Sequence, residues 1–144
     1  MVYPAGPFDK DGKKALADQF KQACGPDGAN VVYDGVGGDY AEAAIRCMAW
    51  EGRFLVVGFP AGIPSIPLNL ALLKSCDIAG VFWGAAVARD PKAHQQNVKE
   101  LLDLYASGKI KPYVSEHFPL SRAPEAISHL ASRKAMGKVV VMME

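Results

Sequence analysis

The side chains that could do chemistry in this sequence are few and dispersed. His94, His117 and His129 stand far from one another and from Cys24, Cys47 and Cys76, and none of the six falls at the spacing by which His and Cys enclose zinc. No Gly-x-Ser-x-Gly turn raises a serine nucleophile, no Cys/His pairing activates a thiol, and no Walker-type lysine marks a triphosphate loop. Asp34 and Asp39 are close enough to suggest a carboxylate pair. Asp39, however, precedes Glu42 by three residues in the pattern of a capping box, and Asp34 sits where an aspartate orders a loop. Glycine-rich turns remain: Gly35-Val36-Gly37-Gly38, Gly58 to Gly62, and Phe82 to Gly84. Without a Cβ, such turns let backbone approach a ligand closely, or they merely reverse the chain. The first turn follows a strand and precedes a helix, yet it lacks the third glycine of the dinucleotide fingerprint Gly-x-Gly-x-x-Gly.

These turns are positioned by an alternation of short apolar runs and amphipathic stretches. Lys13 to Cys24 sets Leu16, Phe20, Ala23 and Cys24 on one helical face and stops at Gly25-Pro26. Val31 to Asp34 is β-branched and reads as a buried strand, followed by a helix from Asp39 that carries Ala41, Ile45 and Met48 inward and ends at Gly52. Arg53 to Gly58 is almost wholly apolar, the mark of a strand covered on both faces. A proline-rich loop from Phe59 to Pro67, a short helix over Leu68 to Ser75 and a strand over Asp77 to Trp83 repeat the unit. Asp90-Pro91 opens a long helix with Val98, Leu101, Leu102 and Tyr105 on one face, closed by Gly108. A strand over Tyr113 to Phe118, a helix over Ser121 to Arg133 and a strand over Lys138 to Met143 complete the order, with no linker that divides the chain.

The expected fold is therefore α/β: a mostly parallel, doubly wound sheet with flanking helices, because parallel strands need crossovers and helices usually provide them. Ligands in such sheets bind at the carboxyl ends of the strands, where the three glycine-containing turns fall. The 144 residues are 50% hydrophobic and 22% charged with a formal net charge of +1, enough for one real core. That balance offers no excess of positive charge for nucleic acid. The longest apolar runs, Phe54 to Phe59 and Val139 to Met143, fall far short of the roughly 20 residues that span a bilayer. No secretory or transit pattern opens the sequence, and three widely spaced cysteines suit reduced thiols, so a cytoplasmic setting is expected, with a mitochondrial one left open if an upstream segment exists.

Taken in order, VVYDGVGGDY, GRFLVVGFPAG, GVFWGAAVARDP and GKIKPYVSEHFPLSRAPEAISHLASRKAMGKVVV carry a resemblance that runs from about Ala29 to the end. The sequence resembles the C-terminal part of a zinc-independent medium-chain dehydrogenase/reductase of the quinone oxidoreductase (zeta-crystallin-like) branch. The resemblance implies a partial Rossmann-type domain. It lacks the first strands and the glycine-rich phosphate turn, and it carries a tail over about residues 109–144 that in the family returns to the catalytic domain.

By that resemblance, Gly35, Val36 and Gly38 lie beside the nicotinamide ribose. Val57, Gly58 and Phe59 lie against the nicotinamide, and the Val81-Phe82-Trp83 segment meets its carboxamide, although core packing is the plainer reading of that segment. Arg133, in a Ser132-Arg133 then Gly137 context, approaches the cofactor in relatives; otherwise it is a helix-end cation. No catalytic side chain and no metal ligand is implied. The cofactor is NADPH, with NADH left open, and the acceptor is a quinone or enone. The chain alone is expected to be inactive. Two other readings stand beside this one: an enoyl reductase of the same superfamily, and a noncatalytic module that self-associates as a homo-oligomer through exposed edge strands such as Val31 to Asp34.

Overall fold

In the computed structural model, which describes residues 8–132 and 134–143, helix α1 (Lys10–Cys24) begins three residues ahead of its apolar pattern. Asp9 is its cap, accepting the Gly12 amide at 2.7 Å. Leu16 and Ala17 are its buried positions, whereas Ala23 and Cys24 are exposed. Leu16 and Ala17 pack with Ala43 and Tyr40 of α2 (Asp39–Arg46) and with Phe8, while Phe20 of the same helix also meets the sheet core.

The expected capping box at Asp39 does not form. Gly38 is the cap residue, and Asp39 lies inside the helix, where its carboxylate reaches back to α1. One oxygen accepts the Phe8 amide at 3.1 Å and the other pairs with Lys13 at 2.7 Å, while Glu42 pairs with Arg46. The hydrogen bond from Lys13 holds the Asp39 carboxyl below its ordinary range, and the same contact raises Lys13.

Strand β1 (Ala29–Asp34) pairs in parallel with β2 (Met48–Val56), which pairs in parallel with β3 (Asp77–Gly80), in the order β1-β2-β3. The strand β2 starts sooner than expected, because α2 stops at Arg46 and the Cys47 amide closes its last turn on Ala44 and Ile45. Gly52 is consequently not a helix stop. Between Ala29↔Met48 and Val31↔Arg53, β2 advances five residues while β1 advances two. Glu51 takes up the extra chain at φ 56, and Gly52 fits where a Cβ would lie 2.6 Å from the end of the Met48 side chain.

The core lies on one face of this sheet. Phe54 is fully buried among Ala41, Ala44, Ile45, Met48 and Leu70, the last from α3 (Asn69–Lys74). The opposite face carries Val31 and Tyr33, 60% and 71% exposed, with Arg53 paired to Asp77 at 3.1 Å. Burial of β1 and β2 on both faces is thus corrected to burial on one, because α1, α2 and α3 all contribute to the same core.

The strand expected to reach Trp83 ends at Gly80, and Trp83 instead opens helix α4 (Trp83–Arg89). An apolar run this short fits either state, so periodicity alone does not decide it.

The described residues divide between Arg89 and Asp90 into two compact units. In the second, Asp90 caps α5 (Pro91–Ala106) by accepting the Ala93 amide at 2.9 Å, with Pro91 in the first turn, as the sequence indicates. The face formed by Val98, Leu101, Leu102 and Tyr105 is exposed. Strands β4 (Val114–Pro119) and β5 (Lys138–Met142) pair in parallel, and α6 (Ala123–Ala131) packs on them, its His129 Nε2 2.7 Å from Glu116. Both sheets are parallel and flanked by helices, the α/β arrangement expected. No helix among the described residues is long and apolar enough to cross a membrane.

Candidate cofactor site

At the carboxyl ends of β1, β2 and β3 three loops are joined by backbone and one carboxylate. Asp34, the last residue of β1, is buried, and its Oδ1 accepts the amides of both Val36 and Gly37 at 2.9 Å. An aspartate that accepts amides two and three residues ahead folds the chain into a tight turn. The Asp34 carbonyl in turn accepts Val57 at 2.9 Å and Gly58 at 3.3 Å, which ties the second loop to the first. The Val56 carbonyl accepts the Val81 amide at 2.9 Å, which ties the third loop to the second. The Val36 carbonyl accepts Ala61, and the Gly62 carbonyl accepts Gly38 at 2.7 Å.

The glycines divide into two kinds. Gly37 and Gly38 adopt φ 71 and 56, and a Cβ on either would lie 2.7 or 2.6 Å from the carbonyl of Gly62 or Ala61. Those two serve loop-on-loop packing. Gly35 and Gly58 face open space, the nearest atoms to an added Cβ being 3.9 and 3.8 Å away. These two leave backbone accessible to a ligand. Gly37→Ala is accordingly expected to cost about 2 kcal/mol through the disallowed φ and the clash. Gly35→Ala should stay within about 0.5 kcal/mol, as surface changes usually do. Thermal unfolding of the two variants checks the contrast.

Of the residues singled out in the sequence, Gly35, Val36, Gly38, Val57, Gly58, Phe59 and Val81 are brought together at this end of the sheet. Phe82 follows at 81% exposure and Trp83 at 66%, so this segment is not core. Arg133 lies outside the described residues. Asp34, read from sequence only as a loop-ordering residue, is the group through which the first two loops connect. Its signal is the aspartate that ends a strand directly before glycine. Ala61 and Gly62, the partners of Val36 and Gly38, carry no comparable local signal.

A metal does not fit the donor set: among the described residues no three His, Cys, Asp or Glu side chains could hold one. Gly35 and Gly58 leave backbone open at this end of the sheet, where the aromatics Phe59 and Phe82 are also exposed.

A family model described as zinc-binding dehydrogenase matches residues 8–141. A quinone oxidoreductase-like protein 2 homolog of Nematostella vectensis is 38% identical over 131 residues, which cover 90% of this chain and 36% of that protein. Among solved structures, a mycobacterial protein complexed with NADPH superposes with a TM-score of 0.76 at 25% identity, covering 95% of this chain and 41% of the other. A quinone oxidoreductase of Pseudomonas syringae gives a TM-score of 0.71 at 27% identity, covering 88% and 39%. The chain thus spans little more than a third of the length of these relatives.

Proposed function

The chain belongs to the zinc-binding dehydrogenase family, and from that premise we propose that it forms the nicotinamide end of an NADPH site in an oxidoreductase that reduces a quinone or activated alkene without zinc. The observation that carries this reading is the chain of hydrogen bonds from the Asp34 carboxylate and carbonyl through Val57 and Val56 to Val81, which fixes three loops at the ligand-binding end of a parallel sheet. Similarity to quinone oxidoreductase-like proteins and to a structure complexed with NADPH supports the choice of cofactor and acceptor.

NADPH bound there would supply hydride from its nicotinamide ring, chemistry that asks the protein chiefly to bind, orient and exclude water. Gly35 and Gly58 would admit the ring and its ribose close to backbone. Phe59, Phe82 and Trp83, all exposed at the same end, would cover the ring from solvent. Asp39 and Glu42 occupy the first turn of α2 and complement its dipole, so that helix start favours the nicotinamide end over a pyrophosphate. Hydride transfer is expected of a longer chain, since these 144 residues span only 36% of the quinone oxidoreductase-like relative.

Trp50 lies at the opposite end of β2, so Trp50→Phe leaves Trp83 as the reporter. Titration of that variant with NADPH should quench its fluorescence saturably. A folded sample that shows no quenching contradicts the assignment of this end of the sheet.

A second reading rests on β1, whose outer edge pairs with no other strand among the described residues and whose Val31 and Tyr33 are exposed. Such an edge associates readily with another chain. Self-association is expected in sedimentation as the concentration rises, and a sharp monomer boundary across a wide range counts against it.

A further inference from the structure

The two cysteines at the other end of the first unit are neighbours in space. Cys24 is the last residue of α1 and Cys47 follows the last residue of α2, yet their sulfurs lie 4.0 Å apart. Cys24 is exposed, whereas Cys47 is buried and donates its thiol hydrogen to the Ala44 carbonyl at 3.0 Å. Beside Cys47 opens a cavity of about 700 Å³, lined also by Trp50, by Asp27 and by three cationic residues, Lys21, Arg46 and Lys74, of which Lys21 stands one helical turn before Cys24. Lys74 donates to the Met48 carbonyl at 2.7 Å and Arg46 is paired with Glu42, so both cations are held in place, while Lys21 makes only a loose contact with Asp18 at 4.0 Å.

We propose that Cys24 and Cys47 form a dithiol site that exchanges with a carboxylate-bearing, low-molecular-weight disulfide of the glutathione type and closes to an intramolecular disulfide. The arrangement sets the order of events. Burial, and then the neighbouring Cys24, push the Cys47 thiol up to about 11, so it stays protonated while the exposed Cys24 meets solvent.

Cys24, losing its proton to solvent, attacks one sulfur of the small disulfide. A mixed disulfide forms, and the first small thiolate leaves and takes up a proton. Cys47 then gives up its proton and attacks the Cys24 sulfur, expelling the second thiolate, which is protonated in turn. The protein loses two electrons and two protons, and the small disulfide gains both. Closing 4.0 Å to the ~2.05 Å of a disulfide asks each sulfur to move about 1 Å. The loosely engaged Lys21 draws the carboxylates in, with Arg46 and Lys74 behind it. Cys76, partly buried within the α3 side of the core, takes no part.

Incubating the reduced chain with oxidised glutathione, quenching by alkylation in denaturant and weighing the intact protein tests the site. Alkylatable thiols should fall from three to one per chain, with the mass of two hydrogens lost and Cys24 joined to Cys47 in the peptide map. Cys47→Ser should stop at one glutathione on Cys24. Cys24→Ser, at an exposed position that leaves the core intact, should keep both remaining thiols reduced and acquire no adduct on Cys47. A glutathione adduct that persists on Cys24 of the parent chain overturns the proposal. So does a cross-link to Cys76, an adduct on Cys47 in Cys24→Ser, or a thiol count that stays at three.

Discussion

Asp34→Ala is expected to lower stability by about 3 kcal/mol, since it removes a buried carboxylate that accepts two amides and hydrogen bonds to charged groups contribute about 1.5–3 kcal/mol each. Part of that loss is the cost of burying the Gly37 amide with no acceptor. The effect reaches further than one turn, because the carbonyl of the same residue anchors Val57 and Gly58. If the three loops hold NADPH together, the variant should also bind it at least tenfold more weakly, as expected when about 1.4 kcal/mol of positioning is lost. Asp34→Asn keeps one acceptor oxygen in place and should fall between the two. Denaturant unfolding and NADPH titration on the same three proteins separate the readings. A stability loss without an affinity loss would mean that the loops fold together but do not form the site.

Phe54→Ala should cost about 3–5 kcal/mol, the usual range for deleting a buried aromatic side chain. Phe54 is fully buried and lies between Val32 and Ile78 in register, against the Ala41, Ala44 and Ile45 face of α2. It therefore joins all three strands to the helix layer. Domains have only about 5–15 kcal/mol of stability in total, so this takes a large share of the first unit's stability and should lower its unfolding temperature markedly. Phe54→Leu, which keeps most of the volume, should cost less than about 1.5 kcal/mol. Far-ultraviolet circular dichroism against temperature distinguishes the two variants.

What the sequence made legible follows from how local the controlling interactions are. The start of α5 is written in Asp90-Pro91, a cap and a fixed φ next to each other, and the structure keeps it. The end of α2 is not local: Cys47 and Met48 are drawn into the core, which stops the helix well before Gly52, and the surplus chain is absorbed by Glu51 in a left-handed conformation. Asp39 has the spacing of a capping residue, but Lys13 and the Phe8 amide compete for it from far along the chain. Val81 to Trp83 is too short an apolar run to distinguish strand from helix, and α4 opens there without a local signal.

The site divides in the same way. That the three turns fall together follows from parallel topology, which alternating strands and helices announce. That Gly37 and Gly38 face Gly62 and Ala61, while Gly35 and Gly58 face open space, depends on a loop more than twenty residues away and no local pattern carries it.

These loops are expected to receive the nicotinamide end of the cofactor. Backbone amide shifts, followed while reduced nicotinamide mononucleotide is added to the folded chain, test it most directly. Shifts concentrated at Gly35, Val36, Gly58, Phe59 and Val81, with Gly25, Gly28 and Trp50 at the opposite end unmoved, are the predicted result. Saturating ligand that leaves the first group in place, or that moves only the second, would rule out this placement of the nicotinamide.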